Sequence, residues 1–219
     1  MSRWKNDRPK PVVGIAGGIG SGKSTISRLF GSQGCAVIDS DSLSHLVLQS
    51  PDVQAEIRSW LGPGVFRTDG SISRSAVAAR VFSDPAQLAR LNTVIHPRVA
   101  RLREALMEKH LADPTVKAVI WDTPLLFEAG LNHECDAVVF IDLSRPERLA
   151  RLQKRGGWSP QELDRREKLQ FPLDKKASLA DYCIDNSGDE ASSLRQVQQV
   201  LSQLLASSKP PGTLPSNPH

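Results

Sequence analysis

The chain has 219 residues, of which 39% are hydrophobic and 24% charged, and it carries a formal net charge of +4 with a pI near 9.1. No apolar stretch approaches the ~20 residues of a membrane span, and no long apolar run follows the basic N-terminus as in a signal peptide, so we expect a soluble cytoplasmic protein. The mild positive charge favours small phosphorylated ligands over nucleic acid, whose binding requires a basic stripe.

The first predicted element is a strand over the apolar run Val12–Ala16, followed by the loop Gly17–Ser24 and an apolar-periodic helix over 25–30. Every fixed position of the phosphate-loop pattern G-x-x-x-x-G-K-[ST] is filled. Its glycines let backbone N–H groups converge on phosphate, and the helix that follows adds its positive N-terminal dipole. An ordinary glycine-rich turn would not require lysine and serine at these spacings, so we predict binding of a nucleoside triphosphate.

Lys23 is predicted to reach the β- and γ-phosphates, and the Ser24 hydroxyl to ligate Mg²⁺. The predicted ATP-binding residues in this segment are Gly18, Ile19, Gly20, Ser21, Gly22, Lys23, Ser24 and Thr25.

Four further short apolar runs predict buried strands over 36–38, 118–121, 137–141 and 182–184, and each is followed by an aspartate. Strands that alternate with helices indicate a parallel sheet, which binds ligands at the carboxyl ends of its strands. We therefore expect Asp39, Asp41 and Asp122 to lie near the triphosphate.

Helix starts are predicted where Ser144 and Ser159 are each followed three residues later by glutamate, and where Asp84 precedes a proline. Near the C-terminus an apolar stripe at helical spacing is predicted to pack on the sheet; it consists of Leu194, Val197, Leu201 and Leu204.

The three cysteines, Cys35, Cys135 and Cys183, are scattered beside apolar residues. This distribution favours buried structural thiols in a reducing compartment over disulfides or a metal site.

Six landmarks in chain order resemble dephospho-CoA kinase, and the resemblance covers about residues 12–205. They are Gly17–Ser24, V-I-D-x-D at 37–41, Asp69-Gly70, Ile95-His96-Pro97, P-L-L-F-E at 124–128 and A-D-Y-C-I-D-N-S-G at 180–188. The resemblance implies transfer of the γ-phosphoryl group of ATP to the ribose 3′-hydroxyl of dephospho-CoA with Mg²⁺, the last step of coenzyme A biosynthesis. We expect a monomer or weak homo-oligomer whose partners are these small molecules, with no nucleic acid or membrane.

The implied fold is an α/β P-loop kinase with a five-stranded parallel sheet flanked by helices, a helical substrate-binding insertion and an arginine-bearing lid. We assign one kinase domain to 11–205, with core segments 11–50, 113–144 and 177–205, a helical substrate region at about 51–112 and a lid at about 145–176. We expect a flexible N-terminus at 1–10 and a disordered proline-rich tail at 206–219.

Two aspartates have competing interpretations. Phosphoryl transfer needs an oriented acceptor hydroxyl, and the resemblance places the catalytic base at Asp41, the second aspartate of V-I-D-x-D. Asp41 could instead cap a helix over 42–48, and Asp39 is a weaker candidate for the base. Asp122 either joins Ser24 in holding Mg²⁺ or serves as an N-cap or turn carboxylate.

The lid segment is rich in arginine. Arg148, Arg151 and Arg155 share one helix face, and Arg165 and Arg166 follow on the next helix. The simpler interpretation of any single one is a solvated basic face.

By resemblance we assign Arg155 to catalysis and ATP binding and Arg166 to the substrate, with Gln170 completing R-x-x-x-Q. Lys176 either binds phosphate or forms a solvated pair with Lys175. Gly156-Gly157-Trp158 stands where the family usually has a short turn containing aspartate.

The resemblance further implies that His96, Leu125, Phe127 and Glu128 contact the acceptor, while Leu126 could fill the core. His96-Pro97 is interpreted as a helix start whose Val99, Leu102 and Leu106 form an apolar face. Asn186 is assigned to ATP through backbone groups near the adenine, although a turn after the last strand explains Asn186-Ser187-Gly188 equally well.

Two other classes of function have similar signatures. Another P-loop kinase for a small acceptor would share the loop and strand ends, and a nucleotide-dependent switch or assembly ATPase would bind ATP without phosphorylating a small molecule. The sequence contains no separate nucleic-acid module or partner-binding repeat, so we rank the second class lower.

Overall fold

The computed structural model describes residues 8–81 and 83–207. Most of the predicted flexible segment 1–10 and of the predicted tail 206–219 lies outside these residues. The strands are β1 Val12–Gly17, β2 Ala36–Asp39, β3 Val119–Asp122, β4 Ala137–Asp142 and β5 Tyr182–Asp185. The helices are α1 Lys23–Ser32, α2 Ser40–Gln49, α3 Pro51–Leu61, α4 Arg74–Val81, α5 Pro85–Ala112, α6 Arg145–Gly156, α7 Pro160–Glu167, α8 Leu173–Ser178 and α9 Glu190–Ser207, with 3₁₀ turns at Pro63–Val65 and Leu131–Glu134.

The five strands form one sheet in the order β2-β3-β1-β4-β5. Strand β1 pairs in parallel with β3, Val12 opposite Val119, and with β4, Val13 opposite Ala137. All six residues of β1 are buried, because helices cover both faces of a parallel sheet. The predicted five-stranded parallel sheet is confirmed.

The described residues divide into two compact units: 8–38 with 107–207, and 39–106. In the first, the sheet, α1 and α9 share an apolar core in which Ile15, Phe30 and Val139 are fully buried. The predicted stripe of α9 is confirmed as part of this core, with Val197, Leu201 and Leu204 at 6% exposure or less and Leu194 packed against them. Among the residues described, none of the helices combines the length and apolar content that a membrane span requires.

The second unit has its own apolar cluster, in which Val53, Ile57 and Val65 are fully buried. The predicted helix start at His96-Pro97 is wrong, because α5 begins at Pro85 and continues through Pro97 to Ala112. Burial of Val94 and Ile95 in this cluster, with Val99 packed against it, holds the helix on both sides of the proline.

The predicted apolar face after Pro97 is only partly correct. Val99 packs against the cluster of the second unit, but Leu102 is 41% exposed.

The three predicted helix starts are confirmed. Ser144 and Ser159 accept hydrogen bonds from the backbone N–H groups of Glu147 and Glu162, and Asp84 Oδ1 accepts one from Ala86 N–H at 2.9 Å. These bonds satisfy N–H groups that have no partner within the helix.

The prediction of buried thiols is correct for Cys35 and Cys135 and wrong for Cys183, which is exposed. Cys183 lies on β5, at one edge of the sheet. Its neighbour Ile184 points into the core, and strand alternation turns Cys183 to the opposite face.

Candidate active site

The phosphate loop connects the carboxyl end of β1 to the N-terminus of α1, as predicted. Hydrogen bonds close it from within: Ser21 N–H donates to Gly18 O at 3.2 Å. The ammonium of Lys23 donates to Gly17 O at 3.1 Å and to Gly18 O at 3.0 Å. Because these carbonyls belong to the loop itself, the positive charge is already held beside the segment that is predicted to bind phosphate.

Asn186 braces this loop from the end of β5. Its side chain is buried, its amide donates to Ser21 O at 2.7 Å, and its amide oxygen accepts from Ser193 Oγ at 3.1 Å. Its backbone groups are also engaged, since its N–H donates to Asp142 O and its carbonyl accepts from Arg151. Asn186 therefore holds the phosphate loop in place through its bond to Ser21 O. Its assignment to ATP through backbone groups stays a prediction.

Gly22 cannot be replaced without moving this brace. Its φ of +92° lies in the left-handed region, and a Cβ there would lie 2.3 Å from Asn186 Nδ2. The glycine thus permits both the turn into α1 and the close approach of Asn186.

Asp122 lies at the carboxyl end of β3 and is 5% exposed. Its Oδ2 accepts a hydrogen bond at 3.2 Å from Ser27 Oγ, one helical turn after Ser24 on α1. This contact brings the carboxylate to the same helix face as the Ser24 hydroxyl. Hydroxyl and carboxylate oxygens are ligands that Mg²⁺ accepts together with water and phosphate oxygens.

The two aspartates after β2 have different roles. Asp39 is the N-cap of α2, accepting hydrogen bonds from Asp41 N–H at 2.9 Å and from Ser42 N–H and Oγ. The alternative in which Asp41 caps this helix is therefore wrong. Asp41 lies in the first turn of α2, in the second unit.

The arginines of α6 differ in exposure. Arg148 is 2% exposed, and its guanidinium donates to Ile19 O at 3.1 Å and Leu143 O at 3.2 Å and pairs with Glu167. Arg151 donates to Asn186 O at 2.7 Å, while Arg155 is exposed in the last turn. The solvated-face interpretation is wrong for Arg148, because Glu167 and two carbonyls replace the water that burial removes.

Arg166 is held at the surface of α7 by two partners. Glu162 accepts its Nε at 2.7 Å, and its guanidinium lies 4.5 Å from the centre of the Trp158 ring. Glu162 also pairs with Arg165, and the hydrogen bonds from Arg165 and Arg166 lower the pKa of Glu162 to about 2. Trp158 thus supplies the face on which Arg166 stacks.

Glu128 and Lys176 form a buried ion pair at 2.8 Å, with side chains 13% and 2% exposed. The solvated-pair interpretation of Lys176 is wrong, because its buried ammonium contacts Glu128 and Gln170 Oε1; binding of phosphate by Lys176 stays a prediction. Glu128 Oε1 also accepts from Phe171 N–H at 2.8 Å. Burial raises the pKa of Glu128, but the hydrogen bonds from Lys176 and Phe171 outweigh it and hold the pKa below its usual value.

The remaining residues assigned to the acceptor lie in two places. Leu125 is 44% exposed and Phe127 is 5% exposed in the turn after β3, whereas His96 is exposed on α5 in the second unit. Leu126 fills the core, because a Cβ at Gly14 of β1 would lie 2.7 Å from its Cδ2. Contacts with the acceptor stay predictions for Leu125, Phe127, Glu128 and His96.

Sequence reasoning missed the contacts that organise the site from outside. The spacing of Arg148 from Arg151 and Arg155 indicates a shared helix face. It does not indicate that the Arg148 side chain is buried. Among the described residues no cluster of three or more histidine, cysteine, aspartate or glutamate side chains could hold a metal ion.

Comparison with known proteins identifies similar chains over most of the length. The family model described as CoaE, dephospho-CoA kinase, matches residues 11–192. The dephospho-CoA kinase of Deinococcus radiodurans is 40% identical over 195 residues, covering 88% of this chain and 91% of its own, and that of Syntrophotalea carbinolica is 36% identical over 202 residues, covering 91% and 95%. A crystal structure of TT1252 from Thermus thermophilus superposes with a TM-score of 0.75 at 33% identity, covering 90% of this chain and 99% of that one.

Proposed function

The chain belongs to the dephospho-CoA kinase family, and from this premise we propose the reaction it catalyses. It transfers the γ-phosphoryl group of ATP to the ribose 3′-hydroxyl of dephospho-CoA, giving coenzyme A and ADP, the final step of coenzyme A biosynthesis. The observation that carries the assignment is the match of the dephospho-CoA kinase family model to residues 11–192. The complete phosphate loop, which holds the Lys23 ammonium beside its own carbonyls, supports ATP as the phosphoryl donor.

The loop and Lys23 bind the triphosphate. Backbone N–H groups of the loop and the N-terminus of α1 attract the phosphate oxygens. Lys23 exchanges its two carbonyl partners for β- and γ-phosphate oxygens, whose charge makes them stronger acceptors.

Asp41 orients the acceptor hydroxyl and takes its proton. The ribose oxygen attacks the γ-phosphorus, the new O–P bond forms as the bond to the β–γ bridging oxygen breaks, and ADP leaves with that electron pair. Since Asp39 supplies the cap of α2, Asp41 is not needed for capping, which supports this role.

Ser24 and Asp122 would hold Mg²⁺, directly or through water. The hydrogen bond between Asp122 and Ser27 supports this pairing, because it fixes the carboxylate one turn from Ser24. When bound, the ion neutralises charge on the β- and γ-phosphates. Arg155 and Arg166 of the lid contact ATP and the acceptor, and water is excluded when the lid closes.

Purified protein with Mg·ATP and a panel of acceptors tests the reaction. We expect ADP formation with dephospho-CoA and a product whose mass and phosphorus NMR spectrum place one new phosphate on the ribose 3′-oxygen. Adenosine monophosphate, shikimate and gluconate serve as competing acceptors. ADP formation with one of these, and none above background with dephospho-CoA, would refute the assignment.

The role of Asp41 predicts that Asp41→Asn lowers kcat by about 100-fold or more, because the acceptor loses its base. Affinity for Mg·ADP, measured by calorimetry, should stay within about twofold, since the acceptor hydroxyl is not part of ADP. Asp39→Asn is the matched control, because asparagine caps helices about as well as aspartate. Near-normal turnover in a well-folded Asp41→Asn protein contradicts the role.

A further inference from the structure

Arg148 reaches the phosphate loop from α6. Its side chain is 3% exposed, and its Nη1 donates to Ile19 O at 3.1 Å, in the middle of the loop. Its Nε donates to Leu143 O at 3.2 Å, just before the start of α6. The approach is close: a Cβ at Gly18 would lie 2.9 Å from Arg148 Nη1.

The bond to Ile19 has a consequence for the opposite side of its peptide group. In a planar trans peptide the carbonyl of Ile19 and the N–H of Gly20 point in opposite directions. When Arg148 holds the Ile19 oxygen toward α6, the Gly20 N–H points away from α6. N–H groups of this loop are the predicted phosphate donors, so Arg148 restricts the direction in which one of them points.

The same guanidinium is linked to α7. Nη1 pairs with Glu167, whose side chain is 25% exposed and lies at the C-terminal end of α7. A buried guanidinium without an opposite charge is strongly unfavourable, so the position of Glu167 influences how firmly Arg148 is held. One side chain therefore contacts both the phosphate loop and a helix of the predicted lid.

We propose that Arg148 is a positioning residue for the nucleotide, fixing the phosphate loop through Ile19 O, and that Glu167 couples this function to α7. The proposal rests on the proposed function only in taking ATP as the nucleotide. It distinguishes Arg148 from Arg155 and Arg166, which are assigned direct contacts with the substrates.

The structure provides a matched control pair. Arg145 and Asp164 join the same two helices in an ion pair whose side chains are 47% and 50% exposed. Among the hydrogen bonds and ion pairs of the described residues, neither side chain bonds to the phosphate loop. If an α6–α7 ion pair acted only on stability, Glu167→Gln and Asp164→Asn would affect nucleotide binding alike.

The test compares Arg148→Gln, Arg148→Lys, Glu167→Gln, the double variant Arg148→Gln/Glu167→Gln and Asp164→Asn. Mg·ADP affinity is measured by calorimetry, KM for ATP and for dephospho-CoA by steady-state kinetics, and folding by thermal unfolding. We expect Arg148→Gln to weaken Mg·ADP binding about tenfold and Glu167→Gln about threefold, because a hydrogen bond to a charged donor is lost or loosened. Asp164→Asn should stay within about twofold of the wild type, and KM for dephospho-CoA should change less than KM for ATP.

Coupling is read from the double variant, which should bind Mg·ADP about as weakly as Arg148→Gln alone, because Glu167 acts through Arg148. If Arg148→Gln does not fold, Arg148→Lys and Glu167→Gln still decide the question. If Arg148→Lys and Glu167→Gln both bind Mg·ADP with wild-type affinity, whatever their thermal stability, the proposal is overturned. It is also overturned if the losses of Mg·ADP affinity in the two single variants simply add in the double variant. A wild-type protein that binds Mg·ADP but does not phosphorylate dephospho-CoA refutes the proposed function and leaves this binding test valid.

Discussion

Lys23 is predicted to exchange its backbone partners for phosphate oxygens when nucleotide binds. Its ammonium donates to Gly17 O and Gly18 O, so it is held close to the loop before any phosphate arrives. Neutral carbonyls are weaker acceptors than phosphate oxygens, which makes the exchange favourable. We therefore predict that nucleotide binding requires only a small rearrangement of this side chain.

For Lys23→Ala we predict that kcat falls about 100-fold, because charge that develops on the transferred group loses a fixed cation. Mg·ADP affinity, measured separately, should fall less than kcat, since much of the transition-state charge is absent from ADP. Lys154→Ala, an exposed position on α6, is the control. Equal losses in affinity and in kcat/KM would contradict a specific contribution to the transition state.

For Gly22→Ala we predict loss of nucleotide binding by about 100-fold or more, because both the φ of +92° and the contact with Asn186 Nδ2 become unfavourable. Gly62→Ala is the control for backbone strain without a steric clash, since Gly62 has a φ of +75° but a Cβ there would meet nothing within 4 Å. Calorimetry with Mg·ADP and thermal unfolding of both variants provide the comparison. Normal Mg·ADP binding by Gly22→Ala would show that the loop adjusts freely.

At the scale of elements, the segment between α7 and α8 is fastened by buried polar groups. Glu128, in the turn after β3, accepts the Phe171 N–H and pairs with Lys176, which also contacts Gln170. The ring of Phe171 lies 3.9 Å from Lys175 Nζ. These contacts attach the C-terminal part of the predicted lid to the turn that follows β3.

We predict that Glu128→Gln destabilises the protein by about 3 kcal/mol near neutral pH, because Lys176 is left as a buried charge without its partner. The folded-state pKa of Glu128 lies below its ordinary value of 4.5, so the carboxylate contributes its stability above that pH. The contribution is lost as the pH falls through the depressed pKa. Thermal unfolding of both proteins between neutral and acidic pH should therefore show the difference in stability narrowing on the acidic side.

A constant difference across that range, or none at neutral pH, would contradict the prediction. Asp174→Asn, on α8 beside Lys175, serves as the control, because the Asp174 side chain accepts only the adjacent backbone N–H at 2.8 Å among the contacts described.

How far the sequence predicts each element depends on the range of the interaction that determines it. The strands and the helix starts at Ser144 and Ser159 follow from neighbouring residues, and these predictions are confirmed. The ion pairs Arg148–Glu167 and Glu128–Lys176 join residues on different elements, and no local pattern indicates them. The candidate site is therefore predicted at the loop, while the residues that brace it are recognised only in the fold.

At the scale of the whole molecule, two apolar clusters support two units. The first surrounds the sheet and includes Ile15 and Val139, and the second surrounds α3 and includes Val53 and Ile57. The nucleotide loop belongs to the first unit, and Asp41 and His96 to the second. From this division we expect that substitutions in the second cluster weaken binding of the acceptor more than binding of the nucleotide.

For Ile57→Ala we predict a loss of about 3 kcal/mol in the stability of the second unit, because a fully buried side chain leaves a cavity. KM for dephospho-CoA should rise, while Mg·ADP affinity stays within about twofold. Calorimetry and kinetics below the unfolding transition measure both quantities, with the exposed Ser59→Ala on the same helix as the control. A parallel loss of Mg·ADP affinity would contradict the separation.

The order of the sheet also constrains synthesis on the ribosome. The central strand β1 leaves the ribosome before its neighbours β3 and β4, which begin only at Val119 and Ala137. The backbone groups along both sides of β1 therefore have no strand to pair with until those residues have been translated. Long-range parallel pairing is slow and exposes apolar strands to aggregation. A nascent chain that stalls before β4 therefore has an incomplete sheet with exposed apolar strands. We expect chaperones to bind such a chain.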